Sequence, residues 1–151
     1  MLQFSVISTA EGSGLQKATD FTTETFTGQT ITLSDYEGEI IVLNFWTTWC
    51  QYCQEEMEEL IRFAGAKEPN VHIIAINVTS EESSENAVKH FVNQIKLPFQ
   101  IGLDKNGAIA QKYQVIGIPT TFIINKRGEI SKKIFGPIHA DLLFNEIERI
   151  N

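Results

Sequence analysis

The chain has 151 residues, a length that a single domain accounts for. Hydrophobic residues make up 42% and charged residues 21%, which is the usage of a folded globular domain and not of a disordered chain. A formal net charge of −7 leaves no basic surface for phosphate groups and argues against a nucleic-acid partner, and no apolar run reaches the roughly 18 residues that a membrane-spanning helix needs.

The first residues of the chain, MLQFSVISTAEGS, form a polar lead without a clear period. Phe4, Val6 and Ile7 are the positions in it that could form a short edge strand. The lead lacks the basic residues that begin a signal peptide. We therefore predict a flexible lead at residues 1–13 and a folded domain at residues 14–151.

Five segments along the rest of the chain have the residue pattern of β-structure. Residues 22–33 are rich in threonine, with Gly28 in the middle, and predict a hairpin. The runs EIIVLNFW, VHIIAINV and TTFIIN are almost continuously apolar, as expected for strands that are covered on both faces. EISKKIF alternates and predicts a further strand after a turn at KRGE.

Three segments between these strands have helical periodicity, at about residues 50–66, 83–95 and 139–150. On the first of them, Cys53, Met57 and Leu60 share the apolar face. Thr79-x-x-Glu82 predicts a capping box just ahead of the second helix. Strands that alternate with helices indicate an α/β sandwich around a mixed sheet.

Both cysteines of the chain lie in NFWTTWCQYC, at the expected junction between a strand and the first helix. Unpaired N–H groups and the helix dipole stabilise a thiolate at the start of a helix, so we predict Cys50 as the nucleophile. Cys53 lies one turn further on the apolar face, where it can attack a mixed disulfide formed at Cys50. This arrangement predicts thiol-disulfide exchange.

Three other interpretations of the two cysteines stay open. A structural disulfide across so short a loop restricts the unfolded chain little. A zinc site would need two further ligands, and the candidates, His72, His90 and His139, are not paired at ligand spacing. Thr47-x-x-Cys50 could orient a peroxide, although a peroxidase with one reactive thiol does not need Cys53.

The segment NFWTTWCQYCQEEMEEL resembles the active-site segment of the TlpA/ResA-like thiol-disulfide oxidoreductases, a branch of the thioredoxin superfamily. The segments ATDF, LSDYEG and YQVIGIPTTFIINKRGEI follow the pattern of this family in order and spacing, so the resemblance covers roughly residues 14 to 150. It implies a thioredoxin-like α/β/α sandwich around a central mixed β-sheet, with an N-terminal β-hairpin added.

The resemblance also implies where a substrate binds. Pro119 stands directly before a buried strand and lacks the N–H that a β-ladder would use. The family pattern implies a cis Ile118–Pro119 bond that faces the thiols, where the backbone of Ile118 can pair with an extended substrate; a trans turn proline is the alternative. Trp49 is then expected to line a substrate groove, and we assign Gln51 and Tyr52 to substrate binding as well.

The two residues between the cysteines depart from the family pattern. The family commonly has a proline before its second cysteine, where this chain has Tyr52. The residues inside such a motif affect thiolate stability and redox potential, so the direction of electron flow stays open.

Glu56 is the acid that the sequence places closest to the thiols. It lies roughly 60° from Cys53 around the helix, and we expect it to be half-buried, with a raised pKa, and to exchange protons with Cys53. The resembling family has a glutamate at the matching position, and Asn44 stands where thioredoxins carry a buried aspartate. The alternative is that Glu56 is one more solvated acid on a helix whose other face carries Glu55, Glu58 and Glu59.

The resemblance implies a protein thiol-disulfide oxidoreductase that acts as a reductant outside the cytoplasm. Its expected partners are a protein disulfide substrate such as apocytochrome c and a membrane thiol-disulfide electron donor, with the chain itself a monomer. No cofactor beyond the Cys50–Cys53 pair is expected, and no metal. The outer side of a bacterial membrane is the implied location, with or without a membrane tether; a cytoplasmic location, a thiol peroxidase and a non-catalytic binding module are the alternatives.

Overall fold

The computed structural model of the chain describes residues 14–151, and the predicted lead with its short strand lies outside these residues. The strands are β1 Thr22–Glu24, β2 Thr30–Thr32, β3 Ile40–Trp46, β4 Val71–Asn77, β5 Gln100–Leu103, β6 Thr120–Ile124 and β7 Ile130–Phe135. The helices are α1 Gln51–Ala66, α2 Glu85–Ile95, α3 Ala108–Lys112 and α4 Ala140–Ile150, with short 3₁₀ turns at Leu33–Tyr36 and Thr79–Glu81.

The strands form one mixed sheet in the order β2-β1-β5-β4-β3-β6-β7. The central strands β3, β4 and β5 are parallel, and β6 and β7 add antiparallel strands beside β3. The hairpin of β1 and β2 joins the opposite edge, where Glu24 pairs with Leu103 of β5. The predicted mixed sheet with an added N-terminal hairpin is therefore confirmed.

Strand β3 is buried along its whole length because the sheet is covered on both faces. Val42 and Trp46 belong to a core that α1, α2 and α4 complete, whereas Leu43 and Phe45 belong to a second core on the side of α3. Coverage on both faces explains why this strand is continuously apolar instead of alternating. No helix within residues 14–151 is long and apolar enough to cross a membrane.

The predicted capping box at Thr79-x-x-Glu82 is wrong. Helix α2 begins later, and the hydroxyl of Ser84 caps it by accepting a hydrogen bond of 3.1 Å from the amide of Ala87. Thr79 instead opens a 3₁₀ turn and donates to the side chain of Asn77. The carboxylate of Glu82 is bonded outside the helix, to the loop that precedes Cys50.

Strand β5 and helix α3 are elements that the sequence did not reveal. They span only four and five residues, too few for either periodicity to show. The buried carboxylate of Asp104 holds α3 in place, since it accepts hydrogen bonds from the amides of Ile109 (3.1 Å) and Ala110 (2.9 Å). Asn106 accepts a further hydrogen bond of 3.1 Å from the amide of Ala108, so this helix depends on side-chain caps more than on its own length.

A glycine in β5 provides a test of this packing. A Cβ atom on Gly102 would lie 2.5 Å from a methyl of Thr23 and 2.9 Å from one of Ile76, so Gly102→Ala overpacks the contact between hairpin and sheet. We expect it to lower the free energy of unfolding by about 1–3 kcal/mol, as measured by urea denaturation. Gly65→Ala in α1 is the matched control, because nothing lies within 4 Å of its added Cβ and it should stabilise the helix slightly. Equal effects of the two substitutions would contradict this packing.

Candidate active site

The two cysteines lie where β3 meets α1. Cys50 is the residue before the first turn of α1, and its sulfur accepts a hydrogen bond of 3.2 Å from the amide of Cys53. The two residues are joined by a disulfide. Cys50 keeps 7% of its surface exposed and Cys53 none, so solvent reaches the pair from the side of Cys50.

An open groove adjoins the disulfide on that side. Its lining includes Trp49, Cys50, Gln51, Tyr52 and Ile118, which are five of the eight residues that the sequence placed in the site. Trp49 and Tyr52 are each 60% exposed, and together they form an apolar surface beside the disulfide of the kind that serves in binding. The structure therefore brings the predicted nucleophile and four predicted substrate contacts to one surface.

The bond between Ile118 and Pro119 is cis, as the family pattern implied. Pro119 is buried directly before β6, and its carbonyl accepts a hydrogen bond of 2.9 Å from the amide of Gly136. Within the described residues, the backbone of Ile118 makes no hydrogen bond. Its polar groups are thus free to pair with a partner in the groove.

Sequence reasoning missed part of the lining. Val78 and Glu81, at the 3₁₀ turn after β4, and Ala110 of α3 also line the groove, and so does Ile116, which is 91% exposed. The position of Ile116 directly before Gly117-Ile118-Pro119 is the sequence signal that could have assigned it to the groove. Ile116 adds an apolar contact three residues before the cis-proline.

Glu56 lies on the other side of the disulfide, within the core. It is only 1% exposed, so the prediction of half-burial was too shallow. Loss of hydration raises the pKa of its carboxyl to about 8, and the neighbouring side chains of Asn44 and Thr121 and the backbone of Ile138 lower it only in part. An acid with this pKa holds its proton at neutral pH and can release it when a nearby thiol changes state.

A small polar cluster surrounds this acid. Asn44 is fully buried and donates a hydrogen bond of 3.0 Å to Thr121, whereas its own oxygen and both oxygens of Glu56 lack a partner of good geometry among the described residues. Sequence comparison with thioredoxins pointed to Asn44 but not to Thr121, which lies on β6, beside Asn44 in the sheet. The oxygen of Asn44 therefore needs a hydrogen-bond donor, and a protonated Glu56 carries an O–H group that can be this donor.

The remaining acids of α1 do not all face solvent, contrary to the prediction of one solvated face. Glu55 and Glu58 are exposed, but Glu59 accepts a hydrogen bond of 2.7 Å from the amide of Ala140 and one of 3.0 Å from Arg62. The bond from Ala140 contributes most to a lowered pKa of the Glu59 carboxyl. Glu59 therefore caps α4 and ties it to α1.

The other interpretations of the cysteines find little support in the geometry. Thr47 is fully buried and does not line the groove with Cys50, so a peroxide in the groove would not meet its hydroxyl. Within residues 14–151, no group of three or more His, Cys, Asp or Glu side chains is placed to hold a metal ion.

A disulfide at the start of a helix, opening onto an aromatic groove beside a cis-proline, defines a redox protein of the thioredoxin fold. Residues 15–133 match the family model described as "AhpC/TSA family", and the chain belongs to this family. It is 34% identical over 124 residues to the sporulation thiol-disulfide oxidoreductase A of Bacillus subtilis, covering 82% of this chain and 74% of the relative.

Two further comparisons agree with this assignment. The chain is 35% identical over 136 residues to the thiol-disulfide oxidoreductase ResA of Bacillus thuringiensis, covering 89% of this chain and 77% of the relative. The crystal structure of StoA from Bacillus subtilis superposes with a TM-score of 0.77 at 33% identity, over 84% of this chain and 95% of that one. The resemblance stated from the sequence is confirmed, and the chain is a thiol-disulfide oxidoreductase.

Burial of Glu56 has a consequence for stability that can be measured against pH. Below about pH 4.5 the carboxyl is protonated in the folded and unfolded states alike, and between pH 4.5 and 8 only the folded state keeps the proton. The folded state therefore loses stability as pH rises through this range, by on the order of 5 kcal/mol, relative to a variant that cannot ionise. We expect Glu56→Gln to gain stability over the parent between pH 5 and pH 8.5 in urea unfolding of the oxidised protein.

The control for this measurement is Glu58→Gln, half a turn further along α1 on the exposed side. The free energy of unfolding of Glu58→Gln should differ from that of the parent by the same amount at pH 5 and at pH 8.5. A Glu56→Gln variant whose stability difference from the parent is the same at pH 5 and pH 8.5 would show that the acid is not buried as described.

Proposed function

We propose that the chain exchanges its Cys50–Cys53 dithiol with disulfides of protein substrates, with Cys50 as the attacking and Cys53 as the resolving thiol. The observation that carries this proposal is the difference between the two sulfurs: Cys50 adjoins the groove at the start of α1, whereas Cys53 is fully buried. Only Cys50 can meet a sulfur held in the groove.

The exchange balances with two electrons and no further reagent. The Cys50 thiolate attacks one sulfur of the substrate disulfide, and the other substrate sulfur leaves as a thiolate and takes a proton. Cys53 then loses its proton and attacks Cys50, which releases the substrate as a dithiol and restores the Cys50–Cys53 disulfide. The two sulfurs carry the electrons themselves, so this step requires no cofactor.

Helix α1 supports the first half of this reaction. Its first N–H groups are unpaired in the helix and point toward Cys50, and one of them already donates to the Cys50 sulfur. Negative charge at this position is favoured by the helix dipole. Both effects lower the free energy of the Cys50 thiolate, which is the attacking species and later the leaving group.

Glu56 supports the second half. It follows Cys53 by one helical turn, and its pKa of about 8 lies close to that of an ordinary thiol. Because the two groups hold protons with similar strength, transfer from Cys53 to Glu56 has little free-energy cost. In the fraction of molecules in which Glu56 is ionised, the carboxylate accepts the proton when Cys53 attacks, and the protonated acid returns it to Cys53 when the disulfide is reduced.

The groove supports a protein substrate over a small molecule. It is open, apolar and rimmed by Trp49 and Tyr52, with Gln51 between them. The unpaired backbone of Ile118 beside Pro119 can add one strand-like contact to an extended segment that carries the target cysteine. Aromatic side chains around a central reactive residue are typical of surfaces that recognise proteins.

The resemblance to TlpA/ResA-like proteins carries the finer part of the proposal. We infer a monomeric reductant on the outer side of a bacterial membrane that receives electrons from a membrane thiol-disulfide donor and delivers them to apocytochrome c. A thiol peroxidase is the second candidate on sequence grounds, but no basic side chain is among the described residues that line the groove to polarise a peroxide.

The roles of the two thiols are tested by labelling and trapping. In the reduced protein at pH 7, limiting iodoacetamide should modify Cys50 before Cys53, because Cys50 is the more exposed and the more acidic thiol. Cys53→Ser should accumulate mixed disulfides with partner proteins in the native host, and these partners name the substrate and the donor. The matched variant Cys50→Ser should accumulate none.

Preferential labelling of Cys53, or trapping by Cys50→Ser instead, would reverse the assigned roles. Rapid thiol loss on adding hydrogen peroxide, without any protein disulfide present, would favour the peroxidase. Full function of Cys50→Ser in cells would favour a non-catalytic binding module.

The proton transfer by Glu56 is tested separately with Glu56→Gln. Because an acid and a thiol that share a proton titrate as a pair, removing the acid should move the thiol titration by about one pKa unit, which corresponds to about 1.4 kcal/mol. Disulfide exchange at neutral pH should slow about tenfold or more. The thiol titration is measured by alkylation as a function of pH, and the exchange rate by reduction of a disulfide substrate. Glu58→Gln is the control for both measurements. Titration and rate that match the parent across about pH 5 to 10 would remove Glu56 from the mechanism.

A further inference from the structure

A carboxylate outside α1 ties down the loop that carries the nucleophile. Glu82 Oε1 accepts hydrogen bonds from the backbone amide of Thr48 (2.6 Å) and from Asn77 Nδ2 (2.9 Å), and its Oε2 accepts one from the Thr48 hydroxyl (2.6 Å). Hydrogen bonds to an ionised group are among the strongest that a protein makes. We call Thr48, Asn77 and Glu82 the loop clamp.

Two further hydrogen bonds hold the loop at Thr48 and Trp49. Gln54 in α1 donates a hydrogen bond of 2.7 Å to the carbonyl of Thr48, and the indole of Trp49 donates one of 3.0 Å to the carbonyl of Glu81. Trp49 is nevertheless 60% exposed. The hydrogen bond to Glu81, and not burial, therefore holds the Trp49 ring in place along the groove.

The far end of the loop clamp rests in the sheet. Asn77 is the last residue of β4, is fully buried, and pairs in register with Trp46, the last residue of β3. Its side-chain oxygen accepts a hydrogen bond of 3.0 Å from Thr79. Because Asn77 belongs to a central strand, Glu82 connects the active-site loop to the buried middle of the sheet.

We propose that Glu82 is a positioning residue for disulfide exchange, acting through Thr48 to fix Trp49 and Cys50 in the geometry that attack requires. The inference rests on the proposed role of Cys50 as nucleophile. The loop clamp acts two residues before Cys50, so its loss lets the sulfur and the Trp49 ring shift relative to the groove. A displacement of about 1 Å at a reacting group can slow a reaction about a hundredfold.

The test separates the hydrogen bonds of Glu82 from its charge. Glu82→Ala removes all three bonds. Glu82→Gln removes only the charge, since its Oε1 can still accept from Thr48 and Asn77 while its Nε2 donates to the Thr48 hydroxyl. Glu85→Gln is the matched control, because Glu85 is an exposed acid at the start of α2 that, among residues 14–151, forms an ion pair with Lys105 alone.

Two quantities are measured on the full reduced chain: the rate of reduction of insulin disulfides, and the pH dependence of Cys50 alkylation. We expect Glu82→Ala to slow insulin reduction about tenfold or more and to shift the Cys50 titration. Glu82→Gln and Glu85→Gln should stay within about twofold of the parent in rate. The Cys50 titration needs no substrate, so it reports on the loop clamp even if insulin reduction by the parent fails and the proposed function is wrong.

Two results would overturn the proposal. Parent-like rate and titration in Glu82→Ala would show that the clamp does not position Cys50, and an equal loss in Glu82→Gln would show that charge alone matters. If Glu82→Ala does not fold, Thr48→Val decides, since it removes only the bond to Oε2. A folded Thr48→Val with a slowed rate and a shifted titration supports the clamp, and a parent-like Thr48→Val limits Glu82 to a structural role and overturns the proposal.

Discussion

Burial of β3 on both faces is the constraint on which the active site depends. All seven residues of this strand are inaccessible to solvent, and its last residue pairs in register with Asn77 of β4. The strand cannot shift by one residue without exchanging its two apolar faces. The loop before Cys50 therefore starts from a fixed point, and α1 starts where that loop ends.

Much of this arrangement can be read from the sequence because its signals are local. Continuous apolar runs predict β3, β4 and β6, a 3.6-residue period predicts α1, and the spacing of Cys50 and Cys53 on that helix predicts which sulfur is shielded. The cis bond before Pro119 was predicted differently, from the resemblance to a family and not from any local pattern in the sequence.

The residues that the sequence did not assign correctly have partners far away in the chain. Glu82 fits a capping box with Thr79, but Thr48, 34 residues earlier, offers it an amide and a hydroxyl together. Glu59 fits a solvated helix face, but the start of α4 lies against it. Helical projection likewise gave the direction of Glu56 but not its depth, because β6 and the segment before α4 cover it only in the folded chain.

The neutral side chain of Asn44 determines how the buried acid holds its proton. A second carboxylate at this position would oppose ionisation of Glu56 and share its titration, whereas an amide leaves one acid with one proton to exchange. Burial favours the protonated form of Glu56, and the groups of the cluster oppose it only in part. Among residues 14–151, the oxygen of Asn44 has no donor, and a protonated Glu56 is able to supply one. Under the proposed mechanism, formation of the disulfide delivers a proton from Cys53 to an ionised Glu56, and the burial that makes a carboxylate costly there favours the arrival of that proton.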